Sequence, residues 1–166
     1  AGRISKEKNI RLLVEAWAEL SRIYNDWTLI IVGGHHGDIF SEDFKRNNIQ
    51  HILSLPPVKL SELFCESKGF ILPSLYEPWG LVVHEASCCS LPILASKNVG
   101  SASIFLIDGF NGYTFDPLNK FELKQCIVKI IQSSDAELDL MGSRSKILSE
   151  RITPLASAAN LISVLQ

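Results

Sequence analysis

The chain has 166 residues, of which 46% are hydrophobic and 20% charged, and its net charge is −2. That suffices for one α/β domain burying roughly two-thirds of its unfolded surface, and it excludes a disordered tail. The charge balance leaves no electrostatic footprint for nucleic acid, and no apolar run approaches the ~18 residues of a membrane span.

The chain opens on a basic loop that contains Arg3 and Lys8. Ile10, Leu13, Val14, Trp17 and Leu20 then recur at helical spacing and predict an amphipathic helix reaching Tyr24, with Trp17 in the core. Residues 28–32 read as a strand buried on both faces, as in a parallel sheet. Gly33-Gly34-His35-His36-Gly37 follows, a turn open enough for a ligand to approach the backbone. It is not a Gly-x-Gly-x-x-Gly fingerprint, and adjacent histidines diverge rather than chelate. A short helix over 41–48, a strand over 49–55 ended by Pro56-Pro57, and a helix over 61–67 come next.

Residues 69–72 form an apolar run, then a loop punctuated by Pro78 and Gly80, then a predicted helix over 81–89. Such a unit sets a helix N-terminus at the carboxyl edge of a sheet, where free N–H groups favour an anion such as phosphate. Glu77 precedes that N-terminus. Glu85 lies about five residues into the helix, roughly 7 Å along its axis, and leans back toward it. Ionised carboxylates accept paired hydroxyl hydrogen bonds well. Either glutamate alone reads as a solvated surface residue.

Together, Pro73-Ser74-Leu75-Tyr76-Glu77-Pro78-Trp79-Gly80-Leu81 and Glu85 resemble the signature of retaining, nucleotide-sugar-dependent GT-B glycosyltransferases, family four. The resemblance implies that Glu77 contacts the donor sugar, that Gly80 and Leu81 give backbone amides to the diphosphate, and that Glu85 holds the ribose. It places Arg3 and Lys8 on the diphosphate, where two cations stabilise the leaving nucleotide. It also sets Gly33 and Gly34 near the phosphates and Val58 near the base, and it implies a hydrophobic strand running into Gly2-Arg3. No metal and no separate cofactor are expected. Two departures stand out. Ser90 replaces a glycine that caps the helix in the left-handed region. Ser101 and Ile104 replace a glycine and a glutamate, which leaves open altered donor or acceptor choice.

Beyond the motif, residues 93–95 and 112–115 read as strands, and 121–131, 136–150 and 155–166 as helices, the last opened by Pro154. Alternating strands and helices argue for a parallel sheet covered on both faces. Cys65, Cys88, Cys89 and Cys126 form no Cys-x-x-Cys pair. They read as reduced core thiols of a cytoplasmic protein, with Cys88 and Cys89 on a buried helix. The implied architecture is a Rossmann-like three-layer sandwich with a mostly parallel sheet, one half of a GT-B fold. Residues 1–166 form a single nucleotide-sugar-binding domain. Its expected partners are the nucleotide sugar and an N-terminal acceptor domain of the same full-length protein, and a whole enzyme peripheral to the inner membrane face is compatible with this. The alternatives are a nucleotide-sugar 2-epimerase and a non-catalytic interaction module that keeps the fold.

Overall fold

The computed structural model describes residues 1–34 and 47–152. The helix expected at 155–166, residues 41–46 of the helix expected at 41–48, and His35, His36 and Gly37 lie outside the described residues, and Asn47 and Asn48 form a turn.

The apolar stripe that starts at Ile10 forms α1 (Ile10–Leu20), which buries Leu13, Val14, Ala16, Trp17 and Leu20. Trp17 is a core residue, and its indole N–H donates to the Asn47 carbonyl at 2.8 Å. β1 (Leu29–Val32) runs parallel to β2 (Ile49–Ile52). β2 is shorter than its apolar run suggests. Pro57 takes the first position of α2 (Pro57–Glu66) instead of only ending a strand, because its fixed φ and missing N–H suit a first turn. β3 (Phe70–Leu72), β4 (Ile93–Ser96) and β5 (Gly112–Phe115) form a second parallel ladder in that order. Between them lie α3 (Leu81–Cys88) and the short α4 (Ala102–Phe105). α5 (Lys120–Gln132) is capped by the Asn119 side chain, and α6 (Asp135–Ser149) by a reciprocal Ser134–Glu137 capping box. Each such cap contributes about 1 kcal/mol.

Burial separates into two layers. Leu13, Trp17, Ile31, Leu94, Phe115, Leu123 and Ile127 join α1 and α5 to one face of the strands. Phe64, Phe70, Val83, Ile93, Ala95 and Phe105 join α2, α3 and α4 to the other. Helices thus cover both faces of parallel strands, as the alternation predicts. Among the described residues the parallel strands fall into two ladders. The β1–β2 and β3–β4–β5 ladders flank a cleft of about 590 Å³ lined by Leu29, Ile30, Phe70, Ile71, Leu94 and Ile127, among others. Residues 1–4 run along the mouth of β1, with Gly2 N–H on the Val32 carbonyl and Ile4 N–H on the Gly34 carbonyl, both at 2.9 Å.

The cysteine reading needs correction. Cys126 alone of the four is buried. Cys65 and Cys88 are exposed and Cys89 is half-buried. α3 buries Val83, Ala86 and Ser87. At 100° per residue Cys88 falls well off that face. Ser90 does adopt the left-handed region, at φ 58°, as its place in the capping position implies. No described helix is long and apolar enough to cross a membrane.

Candidate functional site

The carboxyl ends of β1, β3 and β4 bring several of the candidate residues, Glu77 and Gly80 first among them, to one rim. Gly80 opens α3 at φ 85°, a left-handed conformation that L side chains resist. A Cβ there would meet the Glu77 Cγ at 3.0 Å and a Val99 methyl at 3.2 Å. No side chain caps α3, so its first N–H groups keep their partial positive charge for an anion. Glu85 is exposed one turn further along the same helix.

The loop before α3 is held from beneath by residues 96–101. Glu77 N–H donates to the Asn98 carbonyl at 3.1 Å, Gly100 N–H to the Glu77 carbonyl at 3.0 Å, and Ser101 N–H to the Trp79 carbonyl at 2.8 Å. Side chains add to this ladder. Asn98 Nδ2 donates to the Leu75 carbonyl at 2.7 Å, Ser96 Oγ to the Ser74 carbonyl at 2.5 Å, and Ser101 Oγ to the Gly80 carbonyl at 2.9 Å. Ser101 therefore fixes the residue that begins α3. Its substitution for glycine reads from sequence as a departure, yet here it is a support. No local signal reveals this, because the partners lie 21 residues apart. Ile104 is half-buried against the layer that contains Phe105.

The basic wall comes from the other end of the chain. Lys6–Lys8 forms one 3-10 turn, and Leu75 N–H donates to the Glu7 carbonyl at 2.7 Å across the rim. Lys8 Nζ makes an ion pair with Glu77 Oε2, with side chains 25% and 13% exposed. Burial pushes the Ala1 amine down to about 6, with Lys8 lowering it further and Glu85 raising it. Lys8, Glu77, Gly80 and Glu85 thus share a rim. Arg3 is exposed between Gly2 and Ile4, whose N–H groups bond the Val32 and Gly34 carbonyls.

Gly33 and Gly34 differ. A Cβ on Gly33 would overlap the Gly2 carbonyl oxygen at 1.8 Å, so the glycine admits this chain's own backbone. Gly34 is exposed, with only the Leu53 carbonyl within 4 Å of an added Cβ. Val58 is exposed on the first turn of α2 instead of lying in a loop. Leu81 is exposed at the start of α3. Among the described residues no cluster of three or more His, Cys, Asp or Glu side chains is placed to hold a metal ion.

The sequence profile of the family described as "Glycosyl transferases group 1" matches residues 1–146. The chain belongs to this family. Its relatives include the sucrose synthase of Melioribacter roseus, 28% identical over 173 residues, covering 91% of this chain and 22% of that one. The chain thus spans about a fifth of that relative's length. The sucrose-phosphate synthase of Thermosynechococcus elongatus superposes with a TM-score of 0.82 at 22% identity, over 99% of this chain and 43% of that one. The pneumococcal O-GlcNAc transferase in complex with UDP and GlcNAc superposes at 0.75 with 25% identity, over 89% and 31%. The Rossmann-like α/β architecture of this group 1 glycosyltransferase domain is that of the matched parts of these GT-B proteins.

Proposed function

We propose that this chain is the donor-binding half of a retaining GT-B glycosyltransferase and that it binds a nucleotide diphosphate sugar. The observation that carries the reading is the Lys8–Glu77 ion pair, set at the uncapped N-terminus of α3 with Glu85 one turn on. In the proposed complex the diphosphate takes the amides of Gly80 and Leu81, and Lys8 turns from Glu77 to a phosphate oxygen. Arg3 joins it from the opening loop, with the Gly33-Gly34 turn beside it. Glu77, released from Lys8, accepts hydroxyl hydrogen bonds from the sugar. Glu85 accepts from the ribose, and Val58 neighbours the base.

In the reaction the bond between the anomeric carbon and the diphosphate oxygen breaks, and a bond to an acceptor hydroxyl forms on the same face. Charge develops on the leaving diphosphate. Fixed cations and helix amides stabilise that charge without reorganising. The acceptor belongs to an N-terminal domain of the full-length protein, so the fragment alone is proposed to bind without turnover. The positive charge needed comes from Arg3, Lys8 and α3, with no metal or cofactor invoked. The proposed setting is cytoplasmic, with the whole enzyme at the inner face of the membrane.

Calorimetric titration with UDP, GDP and ADP tests the reading. UDP comes first because the pneumococcal relative is bound to it. One diphosphate is expected to bind, and Arg3→Ala and Glu85→Ala each to weaken it about tenfold, or ~1.4 kcal/mol. Equal weak affinity in all three proteins sinks the assignment. Ile104 favours one second reading: a half-buried isoleucine replaces the family's carboxylate, as in a domain kept for interaction and not for turnover. Full-length protein that transfers from no donor supports that reading.

A further inference from the structure

Three of the four cysteines gather on one surface, behind the candidate site and away from its rim. Cys65 lies on the last turn of α2, Cys88 ends α3, and Cys89 caps it. The Cys89 thiol points at α2, with its Sγ 3.9 Å from the Ser61 carbonyl oxygen. Cys65 follows Ser61 by one helical turn and so occupies the same face of α2. Cys65 and Cys89 are thereby neighbours across the packing of α2 on α3. Cys88 points elsewhere, toward the His84 ring, at 3.7 Å. Cys65 is exposed and Cys89 half-buried, so one thiol meets a solvent oxidant and the other sits behind it.

We propose that Cys65 and Cys89 form a reversible disulfide, a redox modification site that clips α2 to the C-terminal end of α3. A small disulfide such as oxidised glutathione is the oxidant. The Cys65 thiolate attacks one glutathione sulfur, forms a mixed disulfide and releases one glutathione thiol. The Cys89 sulfur then displaces the second glutathione and loses its proton to solvent. Two protein thiols are oxidised by two electrons, and one glutathione disulfide becomes two thiols. Burial and the neighbouring Cys65 and Cys88 thiols push Cys89 up to about 11. Cys89 is therefore a poor first attacker at neutral pH, and its role as resolving thiol rests on proximity. Thiols on facing turns of two packed helices can reach disulfide geometry when their Cα atoms lie within about 7 Å.

The bond closes a loop from 65 to 89 that contains Glu77, Gly80 and Glu85. Restricting that loop in the unfolded chain stabilises the fold. The readouts below do not involve a nucleotide, so this inference stands or falls apart from the donor reading.

The test incubates the protein with a glutathione disulfide buffer at pH 8. Thiol titration in denaturant is expected to fall from the four cysteines of the sequence to two. A non-reducing digest is expected to link the Cys65 and Cys89 peptides, and Tm to rise by about 5 °C, reversed by dithiothreitol. Cys88→Ser keeps all three changes, while Cys65→Ser and Cys89→Ser each abolish them. Four free thiols after incubation, a glutathione adduct that never resolves, or a crosslink through Cys88 overturns the proposal.

Discussion

The two parallel ladders serve the same rim in different ways. The β3–β4–β5 ladder supplies the acidic wall and fixes it. Three backbone bonds and three side-chain bonds tie the loop from Ser74 to Gly80 onto residues 96–101. The β1–β2 ladder supplies no wall of its own. The basic residues arrive on residues 1–8, which touch β1 and its turn at Val32 and Gly34 and reach the other ladder through Glu7–Leu75 and Lys8–Glu77. One wall folds as part of a core. The other is a strap across two ladders, placed by whatever sets their separation. Preorganised charge is worth most where nothing must move. The acidic wall therefore sets the geometry, and the basic wall is the part sensitive to context.

The largest effect comes from joining the ladders. Leu29 N–H bonds the Asn48 carbonyl on the β2 side, and the Val32 carbonyl accepts from Gly2 on the opposite side. Alternation along a strand then turns the Ile30 N–H and C=O into the cleft. Phe70 N–H bonds the Pro92 carbonyl on the β4 side, so Ile71 faces the cleft in the same way. Placing five apolar β-branched residues ahead of Ala1 supplies a parallel strand in register with Gly2. Melting curves are expected to move up by about 10 °C, and the Ile30 and Ile71 amides to gain exchange protection. A Ser-Gly extension of equal length is expected to do neither. Equal behaviour of the two extensions would show that the ladders do not take a strand between them.

That cleft marks where the sequence stops being informative. Periodicity finds α1 and α5, and apolar runs find all five strands, because each depends on residues a few places apart. The Pro73–Glu85 string marks the candidate site for the same reason: loop, glycine and helix start are contiguous. Three features are long-range and leave no local trace. Ladder pairing is one. The use of Gly33 to admit the Gly2 carbonyl is another. The third is the Ser101 bond to Gly80, where a replaced glycine reads as a loss. Pro57 is a different kind of miss. Its chemistry stops a strand or starts a helix equally well, and here it does the second.

Ser101→Ala measures how much the support under the acidic wall matters. The hydroxyl is buried and bonds the Gly80 carbonyl, but that carbonyl also accepts from Val83 N–H at 2.9 Å. The carbonyl is not orphaned, so the expected loss is about 1 kcal/mol and not the larger penalty of an unpaired group. Thermal denaturation should show a drop of about 3 °C. An unchanged Tm would mean that the backbone bonds hold the wall unaided.

The smallest effect is expected at Ser74, and its sign is informative. Ser74 is fully buried in the same loop, and among the described residues its Oγ is the one buried side-chain polar atom without a hydrogen-bond partner. Its carbonyl, by contrast, accepts from Ser96 Oγ. A buried hydroxyl with no partner costs more than a methyl in its place. Ser74→Ala is therefore expected to leave stability unchanged or to raise it by up to ~1 kcal/mol in chemical denaturation. Ser96→Ala, which removes the donor to the Ser74 carbonyl, is expected to lower it by about 1 kcal/mol. If Ser74→Ala proves the more damaging of the two, the wall is held through the Ser74 hydroxyl and not through the bonds to residues 96–101, and the contrast between a fixed acidic wall and a docked basic strap fails on its stronger side.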